Sequence, residues 1–368
     1  MRVRRPGWRW VVVAALTGAL VSTPALVQAL PVDDSDIEAA TLLELVRASD
    51  DVAWSGYGEA RGDLVLPDVD QLGDLPELIS GTTRLRAWWL GPQEHRVNAL
   101  SLVGETDVAV TDRGTWTWES ADRAATLVQG EVDVRLPRGA DLLAPALGAR
   151  LSRSDGVQAE RLPARRVAGI VAAGLRLLPA EPELTTVERV DLWADPETGL
   201  ALRVELHASD VDAPALTSLL LDLDLSEPPP ERTRFRPPRD ARLEVVEAPD
   251  IAAAADRFAP FQLPDRIAGL PRRQRVDDVG EGVGTYGDGF TALTVIPLEH
   301  RTADGLIDGL RQDDDPRGEA AFSTALLQGL VSHDRTGAYL LVGTVRESVL
   351  RAALAQLQAD PPPIRQPS

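Results

Sequence analysis

Four histidines, His95, His207, His300 and His333, are the side chains of this sequence best suited to moving a proton or holding a metal ion near neutral pH. None stands in an H-E-x-x-H pair or at another spacing that would bring two ligands together. His207 falls on the polar side of an alternating run, which reads as a solvated histidine rather than a general base. Ser55, within Trp54-Ser55-Gly56-Tyr57-Gly58, lacks the flanking glycines of a nucleophile elbow. Gly280-Glu281-Gly282-Val283-Gly284 does not join a buried parallel strand to a helix, so it reads as a turn rather than a phosphate cradle. Asp313-Asp314-Asp315 lacks the alternating ligands of a calcium loop and reads as a solvated charge run, and Arg61-Gly62-Asp63 is a chance match to an adhesion tripeptide. No enzyme signature remains, and no cofactor or metal is expected.

Tryptophan carries more information. Six of the eight lie beyond residue 30: Trp54, Trp88, Trp89, Trp116, Trp118 and Trp193. Trp116 and Trp118 are two apart and share one face of a strand, whereas Trp88 and Trp89 point to opposite faces. Large rings on a concave sheet face would hold an acyl chain, which makes Trp54, Trp88, Trp116 and Trp118 the candidate ligand-binding residues. The alternative is that they fill the core beneath the sheet.

The chain that positions them has 368 residues, with 57 Asp plus Glu against 38 basic residues, all of them arginine, and no cysteine. This length suits about two domains. A formal charge of −19 opposes binding to a phosphate backbone, so nucleic acid is excluded as a partner. Without cysteine or lysine there is no disulfide, zinc-thiolate site, lipobox, Schiff base or P-loop lysine. Arg2, Arg4, Arg5 and Arg9 precede an uncharged run, Val11 to Leu30, that ends near the small-residue pattern Val27-Gln28-Ala29. Residues 1–29 therefore read as a signal peptide, or as a membrane anchor through residues 11–30, and the body as extracytoplasmic. Loss of these four arginines and no acid takes the net charge from −19 to −23.

Ser35 to Glu38 resembles a capping box before a helix with Ala39, Leu42, Leu43 and Val46 on one face. The period then changes to two. Val132, Val134 and Leu136, then Leu200, Leu202, Val204 and Leu206, then Leu219, Leu221, Leu223 and Leu225 mark strands of an antiparallel sheet, wet on one side. A helix over Asp141–Ser152 interrupts them, and Leu66–Gly81 reads as a long loop. Prolines at 228–230 and 237–238 close the sheet region. From Leu243 a smaller unit reads as helix (Asp250–Phe258), strand (Gly289–Leu298), helix (Thr302–Leu310), two strands (Ala325–Ser332 and Gly337–Gly343) and a last helix after a second box at Thr344–Glu347. The expected division is 1–29, 35–240, 243–360 and a disordered tail 361–368.

Thr83-Arg84-Leu85-Arg86-Ala87-Trp88-Trp89, Gly104-Glu105-Thr106-Asp107 and Thr115-Trp116-Thr117-Trp118-Glu119 resemble actinobacterial LolA-like proteins. Val190 to Leu200 is similar to a hairpin of the RseB/MucB family, and Tyr286-Gly287-Asp288-Gly289 and Leu341 to Val345 to segments of its small C-terminal domain. The resemblance implies an α+β protein: a curved antiparallel half-barrel covered by helices, followed by a small α+β domain. It also implies a non-enzymatic envelope protein that binds lipid acyl chains or lipoprotein. Such a protein acts either as a sensor on a membrane anti-sigma factor or as a carrier; an exported structural protein without cargo is the third reading. The extra domain departs from the carriers, and the Leu66–Gly81 loop from Gram-negative relatives.

Overall fold

The computed structural model describes residues 34–63, 80–100, 104–130, 138–248, 262–273, 283–310, 319–335 and 337–362. The N-terminal segment, most of the Leu66–Gly81 loop, the Val132–Leu136 strand, the Asp250–Phe258 helix and the Asp313–Asp315 run lie outside them. Among the described residues no helix is long and apolar enough to cross a membrane.

Helix α1 (Ala39–Ala48) leads into β1 (Trp54–Asp63), β2 (Ser80–Gly91), β3 (Glu94–Leu100), β4 (Glu105–Thr111), β5 (Gly114–Glu119) and β6 (Ala124–Gln129). A 3-10 turn and helix α2 (Ala144–Ser152) follow. Then come β7 (Gln158–Val167), β8 (Ile170–Leu178), β9 (Val187–Ala194), β10 (Ala201–Ala208), β11 (Leu216–Asp224) and β12 (Arg242–Glu247). All twelve form one curved, open sheet in the order β12-β6-β5-β4-β3-β2-β1-β11-β10-β9-β8-β7. Every pair is antiparallel except β12 on β6. β12 thus belongs to the large sheet, although it lies almost wholly beyond the boundary drawn from sequence at Leu243.

Amphipathic α1 lays Leu42, Leu43 and Val46 on the inner face of the sheet, where α2 adds Leu147. Gly148 makes this possible: a Cβ there would stand 2.5 Å from that of Ala201 in β10. Burial of each such leucine or valine contributes about 1.5–3 kcal/mol. The Asp141–Ser152 helix is split in two. Pro145 is tolerated in a first turn, so the α-helix starts after Leu143 and a 3-10 turn carries Gly139–Leu142. Neither N-terminal box forms. Helix α1 starts after Glu38 without a side-chain cap, and the Thr344 hydroxyl bonds instead to the Phe290 carbonyl at 2.6 Å.

Alternation in β11 shifts phase at a bulge. Gly58 pairs with Leu220 but Tyr57 with Asp222, so Leu220 turns inward and is 1% exposed while Leu221 is 49% exposed. The leucine series Leu219, Leu221, Leu223 therefore does not share one face.

The second sheet runs β15-β16-β19-β18-β17, after a short hairpin of β13 (Arg266–Ile267) and β14 (Leu270–Pro271). Its strands are β15 (Gly284–Tyr286), β16 (Leu293–Pro297), β17 (Glu319–Ser323), β18 (Gln328–Asp334) and β19 (Gly337–Gly343). Helix α3 (His300–Leu310) packs Ala303 and Ile307 on Val331 and Ala338. Helix α4 (Glu347–Ala359) packs Leu350, Ala353 and Leu354 on Leu330, Tyr339 and Leu341 of the other face.

A seam joins the two sheets. Thr185 bridges to Val345, and the Thr186 and Arg346 amides donate to the Thr344 and Leu184 carbonyls at 3.2 and 3.0 Å. The buried Thr185 hydroxyl lies 2.8 Å from the Thr344 carbonyl and 3.1 Å from that of Phe290. Phe290 and Leu326 enter the core of the first sheet.

Candidate functional site

At this seam the inner face of the large sheet is left partly uncovered. Helix α2 ends at Ser152, and beyond it the ends of β9, β10 and β11 present Val187, Leu206 and Leu216. Leu147 and Leu151 of α2 form one wall and Phe290, Leu326 and Leu327 of the second unit the other. They line a half-open cavity of about 820 Å³, within the range that holds a small apolar ligand.

Arginines ring this cavity, but their bonds are already made. Arg153 bonds to Asp50 at 2.5 Å and to the Arg47 carbonyl at 2.6 Å. Arg273 donates to the Gly287 carbonyl at 2.6 Å and to those of Gly289 and Thr291 at 3.3 Å. The lining thus combines aliphatic side chains and Phe290 with seven charged ones, among them Asp141, Asp155 and Asp288. A second, smaller hollow of about 510 Å³ lies on the concave face beside His95, Val108, Val110 and Thr115.

The four candidate tryptophans do not meet. Trp54 pairs across from Trp89 on the inner face, 1% exposed, with ring centres 6.4 Å apart. Trp89 donates its indole N–H to the Asp50 carbonyl at 2.7 Å and stacks on His95 at 4.1 Å. By strand parity Trp88, Trp116 and Trp118 fall on the outer face, in line with Arg96, Asp107 and Ala109. There they surround Phe235, whose ring centre is 5.6 Å from Trp116 and 6.4 Å from Trp118. The Arg96 guanidinium lies 5.8 Å from the rings of both Trp88 and Phe235, and two of its nitrogens grip Asp107. None of the four lines the large cavity.

His207 is not solvated. It is 5% exposed on the outer face of β10, beside Asp191 and Glu205. Arg176 donates to both oxygens of Asp191 at 2.7 Å, Arg203 reaches Glu205 through Nε at 2.6 Å, and Arg189 lies 3.0 Å from His207 Nδ1. The polar side of the alternation is buried because arginine stems lie over it. Burial works to raise the Asp191 carboxyl; the Arg176 bonds, with the charges of Arg176 and Arg189, outweigh it and hold the group below the usual carboxylate range. In turn the bond to Asp191 raises the Arg176 guanidinium above its ordinary value. Asp191, Glu205 and His207 have the donor types of a metal site, but three arginines already occupy them. A divalent cation would have to displace these charges, so the cluster reads as a buried ion network.

His333 Nδ1 lies 2.7 Å from Asp304 and its ring is edge-on to His300 at 4.4 Å. Ser55 and the Arg61–Asp63 tripeptide are part of β1, and Arg61 pairs with Glu59. Reasoning from sequence missed Leu206, Leu216, Phe290 and Leu326. The alternation that turns Leu206 inward was visible, but which strand ends α2 leaves bare was not.

No family model matches the chain, and neither does any curated protein. Among solved structures it is similar to MucB in the MucA/MucB complex of Pseudomonas aeruginosa, at 16% identity and TM-score 0.49, covering 86% of this chain and 97% of that one. A second structure of MucB matches at 16% identity and TM-score 0.44 over 86% and 96%. A LolA superfamily protein from Nitrosomonas europaea matches at 12% identity and TM-score 0.26 over 54% and 98%. The solved structures to which this chain is similar thus include MucB and a LolA superfamily protein.

Proposed function

We propose that this chain is a non-enzymatic extracytoplasmic protein that binds an acyl-chain-bearing ligand, a lipid or lipoprotein, in the cavity between its two units. One observation carries the reading: an apolar hollow of about 820 Å³ whose walls come from both units. Apolar surface of this kind favours a hydrocarbon chain through removal of its area from water. Because Phe290, Leu326 and Leu327 complete the wall, occupancy would bear on how the second unit sits against the first. This favours a sensor over a simple carrier, and the sequence resemblance supplies the partner class, a membrane anti-sigma factor.

A dansyl-labelled fatty acid titrated into the purified body, beside native mass spectrometry after gentle purification, tests this. Leu151 and Leu327 are half-buried on the cavity wall, so Leu151→Trp or Leu327→Trp should fill the space with little cost to the fold. We expect binding to weaken about tenfold, one 1.4 kcal/mol step, with the melting temperature nearly unchanged. A wild-type chain with no co-purified lipid and no dansyl response would sink the lipid reading. Pull-down from membranes divides the roles: an anti-sigma factor supports the sensor, acylated cargo alone the carrier.

A further inference from the structure

The outer face around Phe235 has a second feature, independent of the cavity. After β11 the chain crosses the outside of β2, β3 and β4 before joining the sheet as β12. This strap is pinned by the buried Thr233, whose hydroxyl bonds to Glu94 at 2.8 Å, by Phe235 among the tryptophans, and by the Arg123–Asp240 ion pair. Exposed along it are Arg232, Arg234, Arg236 and Arg239, followed by Arg242 at the start of β12; Glu231 and, on β12, Glu244 and Glu247 are exposed beside them. Among the described residues no carboxylate pairs with any of the five. β12 is the last strand of its sheet, so its far edge is unpaired among the described strands. On it Leu243 and Val245 are 55% and 53% exposed, the most exposed large apolar side chains described.

We propose that the strap and the β12 edge form a docking surface for an acidic, extended segment of another protein, which adds as a strand beside β12. Three observations converge on that occupant. Guanidinium forks match carboxylates in a planar, bidentate way. A free strand edge offers main-chain donors and acceptors that only a polypeptide uses fully. Leu243 and Val245 offer alternate apolar contacts at the two-residue period of an added strand. A lipid surface fits less well, because a chain at −19 is repelled by an anionic leaflet and leaves the edge unpaired.

The probe is a fluorescein-labelled peptide of alternating Glu and Val, with a Lys–Val peptide and phosphatidylglycerol vesicles as comparisons, all at low salt. The Glu–Val peptide should raise the anisotropy, lose affinity as salt rises, and slow amide hydrogen exchange in β12. Arg234→Glu with Arg236→Glu should weaken it about tenfold, and Leu243→Ser with Val245→Ser should weaken it without removing the salt dependence. These side chains are exposed, so an unchanged melting curve will confirm that the variants fold. No binding of the Glu–Val peptide, indifference to the arginine reversal, unchanged β12 exchange, or preference for the vesicles would each overturn the proposal.

Discussion

Replacing Arg176 by Met tests whether the network on the outer face of β8–β10 is a buried structure or a decorated surface. Asp191 is 5% exposed, and Arg176 makes two bonds of 2.7 Å to it. Removal of one partner of a fully buried pair costs about 3–5 kcal/mol, because the remaining charge is left in a poor solvent. Two features reduce this figure: the Arg176 side chain is 31% exposed, so water enters when it goes, and Arg189 remains 3.5 Å from Asp191. Met keeps the aliphatic packing of the stem. The expected cost is therefore about 2–3 kcal/mol, several times the ~0.5 kcal/mol of an exposed pair.

The sign of the pH dependence follows from the direction of the shift. Asp191 is held below its ordinary value in the folded chain. Its contribution is thus present above the unfolded value of about 3.9 and is lost as pH falls through the folded value. Urea unfolding of both chains between pH 7 and pH 3 should show the stability gap narrowing below about pH 4, with carboxylates common to both cancelling. Arg176→Met with Asp191→Leu should recover more than half of the loss, since no charge is then stranded. A cost below about 0.5 kcal/mol, or a gap that stays constant with pH, would refute the burial argument.

Gly199 adopts φ +74°, and a Cβ there would stand 2.3 Å from the Leu45 backbone, so Gly199→Ala should destabilise by about 3 kcal/mol or more. Gly169, at φ +82° with open space around it, should cost only about 1 kcal/mol when changed to Ala, so urea midpoints of the two variants separate collision from backbone strain. Thr185→Val keeps the side-chain shape but removes the seam hydroxyl 2.8 Å from the Thr344 carbonyl, and should cost about 1–2 kcal/mol in urea unfolding while Thr185→Ser costs less. Burial pushes the Tyr286 and Tyr339 hydroxyls up to about 12. The unfolded groups ionise near 10, so this contribution is full below that pH and disappears between pH 10 and 12. Phenolate absorbance from these two should therefore rise only together with loss of the second unit's circular dichroism.

Much of the fold was legible in local pattern. The face of α1 and the inward residues of β10 were evident from spacing, because side-chain direction repeats every 3.6 or 2 residues and is a property of the local chain. The β11 phase was misread because a bulge opposite Tyr57 shifts the count without leaving a mark in the leucine series. His207 was read as solvated because parity names a face but not what lies over it; Arg189 of β9 reaches His207, while Arg176 of β8 and Arg203 of β10 itself hold the neighbouring Asp191 and Glu205. The tryptophans were placed together by residue type, yet Trp54 and Trp88 lie on opposite sides of one sheet.

By itself the sequence determined the strongly acidic charge, the helix and strand periods, and the parity that separates Trp88 from Trp89. All of these depend on composition or on neighbours a few residues apart. The cavity was decided only in three dimensions, because Leu147, Leu206, Phe290 and Leu326 come from four distant parts of the chain. Their approach depends on sheet curvature, on where α2 ends, and on the seam at Thr185 that holds the second unit in place. The same holds for the strap. That its arginines are exposed beside an open strand edge depends on Phe235 and Thr233 finding their sites on the sheet.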